Sequence, residues 1–139
     1  MKNSTRQFVE LLVDKEINYS IIEDSGCDSD KEDVLMVLNN GEYMQNMQLR
    51  IFLQESNISI YMKIGQVTQE KANTLILKLN EINSKYRFVK FYIEDDTSIF
   101  AEIDYDFNQE DAADVCLQAC IRIVTIVDEC YPEIMKTIW

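Results

Sequence analysis

The chain has no histidine, one proline, three glycines and only 13 basic side chains against 25 acidic ones. Without histidine it lacks the commonest general base, the usual partner of a serine or cysteine nucleophile and the commonest metal ligand. With three glycines in 139 residues it has no glycine-rich phosphate loop, no Walker pattern and no nucleophile elbow. The scarcity of proline and glycine also leaves no flexible linker, repeat or low-complexity tract, so residues 1–139 read as a single domain. No apolar run is long enough to span a membrane, and the first sixteen residues turn acidic too early for a signal peptide. The four cysteines (Cys27, Cys116, Cys120 and Cys130) follow no dense spacing. Reduced thiols and a cytoplasmic location are therefore expected, with no membrane partner.

The formal net charge is −12, distributed unevenly. Residues 1–45 carry 4 basic and 10 acidic side chains, residues 46–90 carry 7 and 3, and residues 91–139 carry 2 and 12. An acidic chain repels phosphate backbones, and the basic middle is flanked by acids that offset it, so nucleic acid is not an expected partner.

What is present is periodic. Phe8, Leu11 and Leu12 give residues 4–17 an apolar helical stripe, with Asn3 or Ser4 able to cap it. Tyr19–Glu23 is short and β-prone. Asp24–Asp33 is polar enough to predict a solvated loop; Asp28 and Asp30 stand as in a calcium loop, but the required glycine and terminal glutamate are missing. Val34–Leu38 reads as a buried strand, and Asn39-Asn40-Gly41 as a tight turn. Two strands then alternate, Gln48–Gln54 and Ile58–Ile64. A helix capped by Thr68 follows, with Ala72, Leu75, Ile76, Leu79 and Ile82 on one stripe. Strands Arg87–Glu94 and Ser98–Asp106 come next. A long apolar helix starting near Asn108 completes the order, with a break or kink expected near Cys130–Tyr131, ahead of Pro132, and a short terminal helix docked through Ile134, Met135, Ile138 and Trp139. The fold class is α+β: one antiparallel sheet with helices on one face, in the order helix, strands, helix, two strands, long helix.

Three stretches carry a resemblance: GEYMQNMQLRIFL, LNEINSKYRFVKFYIEDD and IVDECYPEIMKTIW. Between Gly41 and Trp139 the chain resembles the YbjN family of bacterial proteins, described as sensory transduction regulators. Asn80, Asn83, Tyr86–Phe91 and Asp128–Pro132 are the most telling positions. Phe88 stands where the family more often has tryptophan, and residues 1–40 match only in general pattern. The resemblance implies a fold like that of type III secretion chaperones, which are small, acidic, usually dimeric proteins that bind other polypeptides. It implies no catalytic residue and no cofactor.

Three residue sets are candidates for function. The first is the sheet face opposite the aliphatic core, where alternation places Arg50, Phe52, Tyr61, Lys63, Phe88, Lys90, Tyr92 and Phe100. Aromatics interleaved with basic groups, and few acids, suit a contact with a protein partner, or else a homodimer contact that covers the face. The second is Glu102, Asp104 and Asp106 on one strand face, near Asp95 and Asp96. A carboxylate-based divalent-metal enzyme or sensor would be built there, and a solvated edge strand would look the same. The third is the thiols. Cys116, Cys120 and Cys130 lie in an apolar stripe and are expected to pack as small hydrophobes, whereas Cys27 in the polar loop is the candidate reactive thiol. Asn83 is expected to help end its helix and Asn80 to bond a neighbouring strand. The reading is a non-enzymatic interaction module that binds a polypeptide.

Overall fold

Four stretches alternate apolar and polar side chains with period two and become strands with their aliphatic sets turned to the same side, and a short β-prone stretch and a continuous apolar run supply two more strands. The computed structural model describes residues 1–26 and 28–139. In chain order the elements are α1 (Asn3–Asp14), β1 (Tyr19–Glu23), β2 (Asp33–Asn39), β3 (Met47–Leu53) and β4 (Asn57–Gln66). They are followed by α2 (Gln69–Lys85), β5 (Val89–Ile93), β6 (Ser98–Asp106) and α3 (Ala112–Ile138). The strands form one antiparallel sheet in the order β1-β2-β3-β4-β6-β5. The three helices pack on a single face of it, with α3 touching α1, α2, β4, β5 and β6. This is the α+β architecture and element order expected from periodicity.

The core lies between that face and the helices. Leu35, Leu49, Ile51, Leu53, Ile58, Ile60, Met62, Ile99, Ala101 and Ile103 come from the sheet, and Phe8, Leu12, Leu75, Ile82, Cys116, Ile123, Val127 and Ile134 from the helices. Cys116, Cys120 and Cys130 are buried free thiols in this layer, as expected, and burial raises the pKa of all three.

Local details depart from expectation in instructive ways. Pro132 does not break the last helix; α3 runs unbroken from Ala112 to Ile138. An internal proline costs about 3 kcal/mol. Burying Ile134 and Met135 beyond it recovers roughly 1.5–3 kcal/mol each, so continuing the helix is favourable. Trp139, at the cap position after the helix, does not dock: it is 83% exposed. The start of α3 lies at Ala112, and ahead of it the Asn108 amide donates to Asp111 Oδ1 at 2.8 Å. Thr68 does occupy the cap position of α2, although its hydroxyl makes no capping bond.

The Asp24–Asp33 segment is not uniformly solvated, because Ser25 and Asp33 are buried. Asp33 Oδ2 accepts from the Lys2 amide (2.8 Å) and the Thr5 hydroxyl (2.6 Å), and Oδ1 accepts from the Ser25 amide (2.7 Å). A side chain thirty-one residues away thus engages the amide ahead of α1, the role assigned above to Asn3 or Ser4; Ser4 instead donates to the Gln54 carbonyl. Burial alone would raise the Asp33 pKa, but the hydrogen bonds from Thr5, Ser25 and Lys2 outweigh it and bring it to about 2.

Asn39-Asn40-Gly41 does not make a tight turn. β2 and β3 are joined by a loop over residues 40–46, in which Asn46, not Gly41, adopts the left-handed conformation (φ 57°). Gly41 serves close approach instead: a Cβ there would overlap the Asp128 carboxylate of α3.

Candidate partner-binding face

Among the described residues, the other face of the sheet carries no helix. Strand register fixes what it presents. Arg50 lies opposite Tyr61, Tyr61 opposite Glu102, and Glu102 opposite Lys90, a row across β3, β4, β6 and β5. Lys63 and Tyr92 both lie opposite Phe100, forming a second row. Phe52 meets Tyr61 edge to face at 5.4 Å between ring centroids, and Tyr92 stacks on Phe100 at 6.1 Å. Phe52, Tyr61, Tyr92 and Phe100 are half-buried by lying against one another, while Arg50, Lys63 and Lys90 are exposed. Seven of the eight residues anticipated for this face are therefore brought together on it.

Phe88 is not. Alternation would aim it at the uncovered side, but it precedes β5 and takes a left-handed backbone (φ 75°) that turns the ring to the helix side. There it packs on Tyr105 at 5.3 Å, and the Arg122 guanidinium of α3 lies 4.8 Å from its centroid. Arg122 also donates to the Tyr105 hydroxyl at 2.6 Å. The position is spent on clasping α3 to the end of the sheet.

The face is also less depleted of acids than expected, since Glu102 and Asp104 share it with the basic groups. Glu102 lies 3.5 Å from the Tyr92 hydroxyl, and Asp104 accepts from the Ser59 hydroxyl. Burial and the negative charge of Glu102 push the Tyr92 phenol up to about 12. Asp106, the third carboxylate of the strand, accepts from the Asn57 side-chain amide at 3.1 Å. Each acid engages its own neighbour. Among the described residues no three His, Cys, Asp or Glu side chains converge where a metal ion could sit, in this strand or around Asp28 and Asp30. Cys27, the candidate reactive thiol, lies outside the described residues.

One end of the face deepens into an open groove of about 580 Å³. Arg50, Tyr61, Lys63 and Phe100 line its floor, Met44, Gln45 and Asn46 of the 40–46 loop form one wall, and Tyr131 of α3 closes a side. The loop is held by Asp128, which accepts from the backbone amides of Glu42, Tyr43 and Met44, each at 2.9 Å. Burial opposes ionisation of Asp128, but these three amides lower its pKa. Periodicity could not find this wall, because it depends on a contact between residues more than eighty apart. The available signal was the family resemblance, whose quoted stretches include both Gly41 and Asp128.

The strand-bonding role expected of Asn80 falls to Asn83, and α2 runs past both to Lys85. Asn80 is exposed, whereas the Asn83 side chain accepts from the Phe91 amide (2.8 Å) and donates to its carbonyl (2.9 Å). It thereby occupies the outer edge of β5 like one residue of a further strand. No helix is long and apolar enough to cross a membrane, among the described residues.

Known proteins agree with this geometry. No curated protein matches the chain. YbjN from E. coli superposes with a TM-score of 0.60 at 16% identity, covering 93% of this chain and 92% of the other. A chain of the heterodimeric ExoU–SpcU complex from the type III secretion system of Pseudomonas aeruginosa superposes at 0.53 and 18% identity, covering 79% of this chain and 86% of that one. At such identities the likeness is one of fold, and the fold is type III secretion chaperone-like. The family model described as "Putative bacterial sensory transduction regulator" matches residues 9–135, and the chain belongs to that family, YbjN.

Proposed function

We propose that this protein is a non-enzymatic, cytoplasmic interaction module that buries a segment of a polypeptide partner against the uncovered face of its sheet. One observation carries the reading: a six-stranded sheet with helices on one side only, whose other side presents four aromatic rings beside Arg50, Lys63 and Lys90. Flat aromatic surface flanked by cations suits protein recognition, since rings supply large contact area at low entropic cost and cations fix register. The ExoU–SpcU neighbour, itself a heterodimeric complex, supports a polypeptide partner. A homodimer through the same face is the competing occupant, and two chains of net charge −12 repel one another at long range.

The test is capture from native bacterial lysate by the wild type and by a Lys90→Glu/Tyr92→Ala variant, read by mass spectrometry beside a thermal melt. A protein retained by the wild type and lost by an equally folded variant is the expected result. Equal retention by both would place binding elsewhere. No specific observation favours the alternative of a metal enzyme or sensor at Glu102, Asp104 and Asp106; magnesium or manganese raising the melting temperature in a saturable way would revive it.

A further inference from the structure

The groove at one end of the uncovered face has an unusual charge for this chain. Its lining includes two ionisable cations, Arg50 and Lys63, and no carboxylate, although acidic side chains outnumber basic ones 25 to 13 overall. Among the described residues neither cation makes a salt bridge or a side-chain hydrogen bond. Asp96 feels the charge of Lys63 but does not come within salt-bridge distance of it among the described residues, and its Oδ1 accepts from the Ser98 amide at 3.0 Å. Arg50 faces Tyr61, and Lys63 lies two residues along β4 from Tyr61. Such diagonal neighbours sit roughly 7–8 Å apart, within reach of long side chains converging on one group. Around them Tyr61, Phe100, Tyr131 and the buried Met44 provide apolar walls, and Gln45 and Gln48 provide amides.

We infer that this groove selects an acidic peptide segment: an aspartate or glutamate of the partner bridges Arg50 and Lys63, and an adjacent aromatic or long aliphatic side chain lies against Tyr61, Phe100 and Tyr131. This rests on the reading of the face as a polypeptide-binding surface and names the chemistry it takes. A peptide carboxylate suits the groove better than a polyphosphate. At physiological salt charges beyond about 8 Å act only weakly, so the contact charges decide the outcome. Two cations, Arg50 and Lys63, match the one or two charges of a peptide carboxylate segment and are too few to neutralise a dense polyanion. Asp128 acts as a positioning residue for the groove, because its carboxylate holds the loop that supplies one wall.

Two fluorescein-labelled synthetic peptides test the inference by anisotropy at about 0.15 M salt. One carries two glutamates beside a phenylalanine, and the other replaces both glutamates with lysine. The acidic peptide is expected to bind the wild type about tenfold tighter than the basic one, and Arg50→Glu/Lys63→Glu to abolish that preference. Arg50→Gln/Lys63→Gln serves in its place if charge reversal impairs folding. Equal binding of the two peptides, no binding of the acidic one, or a preference that survives both double variants would overturn acidic selection. The same variants separate the two levels of the argument. A partner lost with Lys90→Glu/Tyr92→Ala but kept with Arg50→Glu/Lys63→Glu refutes the acidic groove and leaves the interaction module standing.

Discussion

Replacing Asp33 with asparagine leaves the shape of the side chain intact and removes the charge on which three donors converge. The carboxylate, 1% exposed, accepts from the Lys2 amide, the Thr5 hydroxyl and the Ser25 amide. Asparagine can keep acceptor character at one of the two oxygen positions; its amide group at the other faces a donor. One charge-assisted bond is lost outright and the others weaken, which costs about 2–4 kcal/mol at pH 7. For a chain of this size that lowers Tm by about 10 °C. The pH dependence gives the sharper signature. The folded pKa near 2 lies below the ordinary 3.8, so the stabilisation is fully present above pH 3.8 and disappears as pH falls through about 2. The shift corresponds to about 2 kcal/mol. Other acids titrate in the same range, but they do so in both proteins and cancel in the difference. Urea unfolding of wild type and Asp33→Asn, followed by circular dichroism from pH 7 to pH 2, should therefore show a gap that narrows by about 2 kcal/mol. A gap that stays constant across that range would refute the claim that these hydrogen bonds hold the carboxylate ionised.

Two further outcomes follow from contacts between distant segments. Gly41→Ala drives a Cβ into the Asp128 carboxylate; either the loop or the three amide bonds must yield, at a cost of about 1–3 kcal/mol in urea unfolding, and Asp128→Ala made alongside it should abolish most of the extra penalty. Asn83→Ala strips the partners from the Phe91 amide and carbonyl at the outer edge of β5, costing about 1–2 kcal/mol; light scattering should also report association, because an edge strand is left open.

The strands were legible because each depends on its own local sequence, an apolar run in β2 and alternation in β3 to β6. Leu49, Ile51 and Leu53 choose a side locally, and that choice fixes Arg50 and Phe52 on the other side without reference to the rest of the chain. For the same reason most of the candidate face could be read from the residues. Failures fell where a distant partner decides. Phe88 obeys alternation in the sequence, yet a left-handed backbone and the waiting Arg122 turn it to the helix side. Pro132 is a helix breaker by local chemistry, and it is overruled by burial of the residues on both sides of it. Asp33 looks like one more acid in a polar loop, and Asn83 like a weak point in a helix; both satisfy backbone groups of elements that periodicity does not place beside them. The groove combined the two cases, its floor readable from β3 and β4 and its loop wall unreadable.

The placement of α3 also couples the groove to the core. All six strands precede it in sequence, and it contacts α1, α2 and three of the strands. Ile60, Met62, Ile99, Ala101 and Ile103 share one buried cluster with side chains of this helix, so a chain lacking it would leave part of that aliphatic surface uncovered. The helix does three things at once: it seals the core, clasps Phe88 and Tyr105 through Arg122, and draws in the 40–46 loop through Asp128. The groove and the core thus depend on the same helix, so a chain that presents the groove has its core covered.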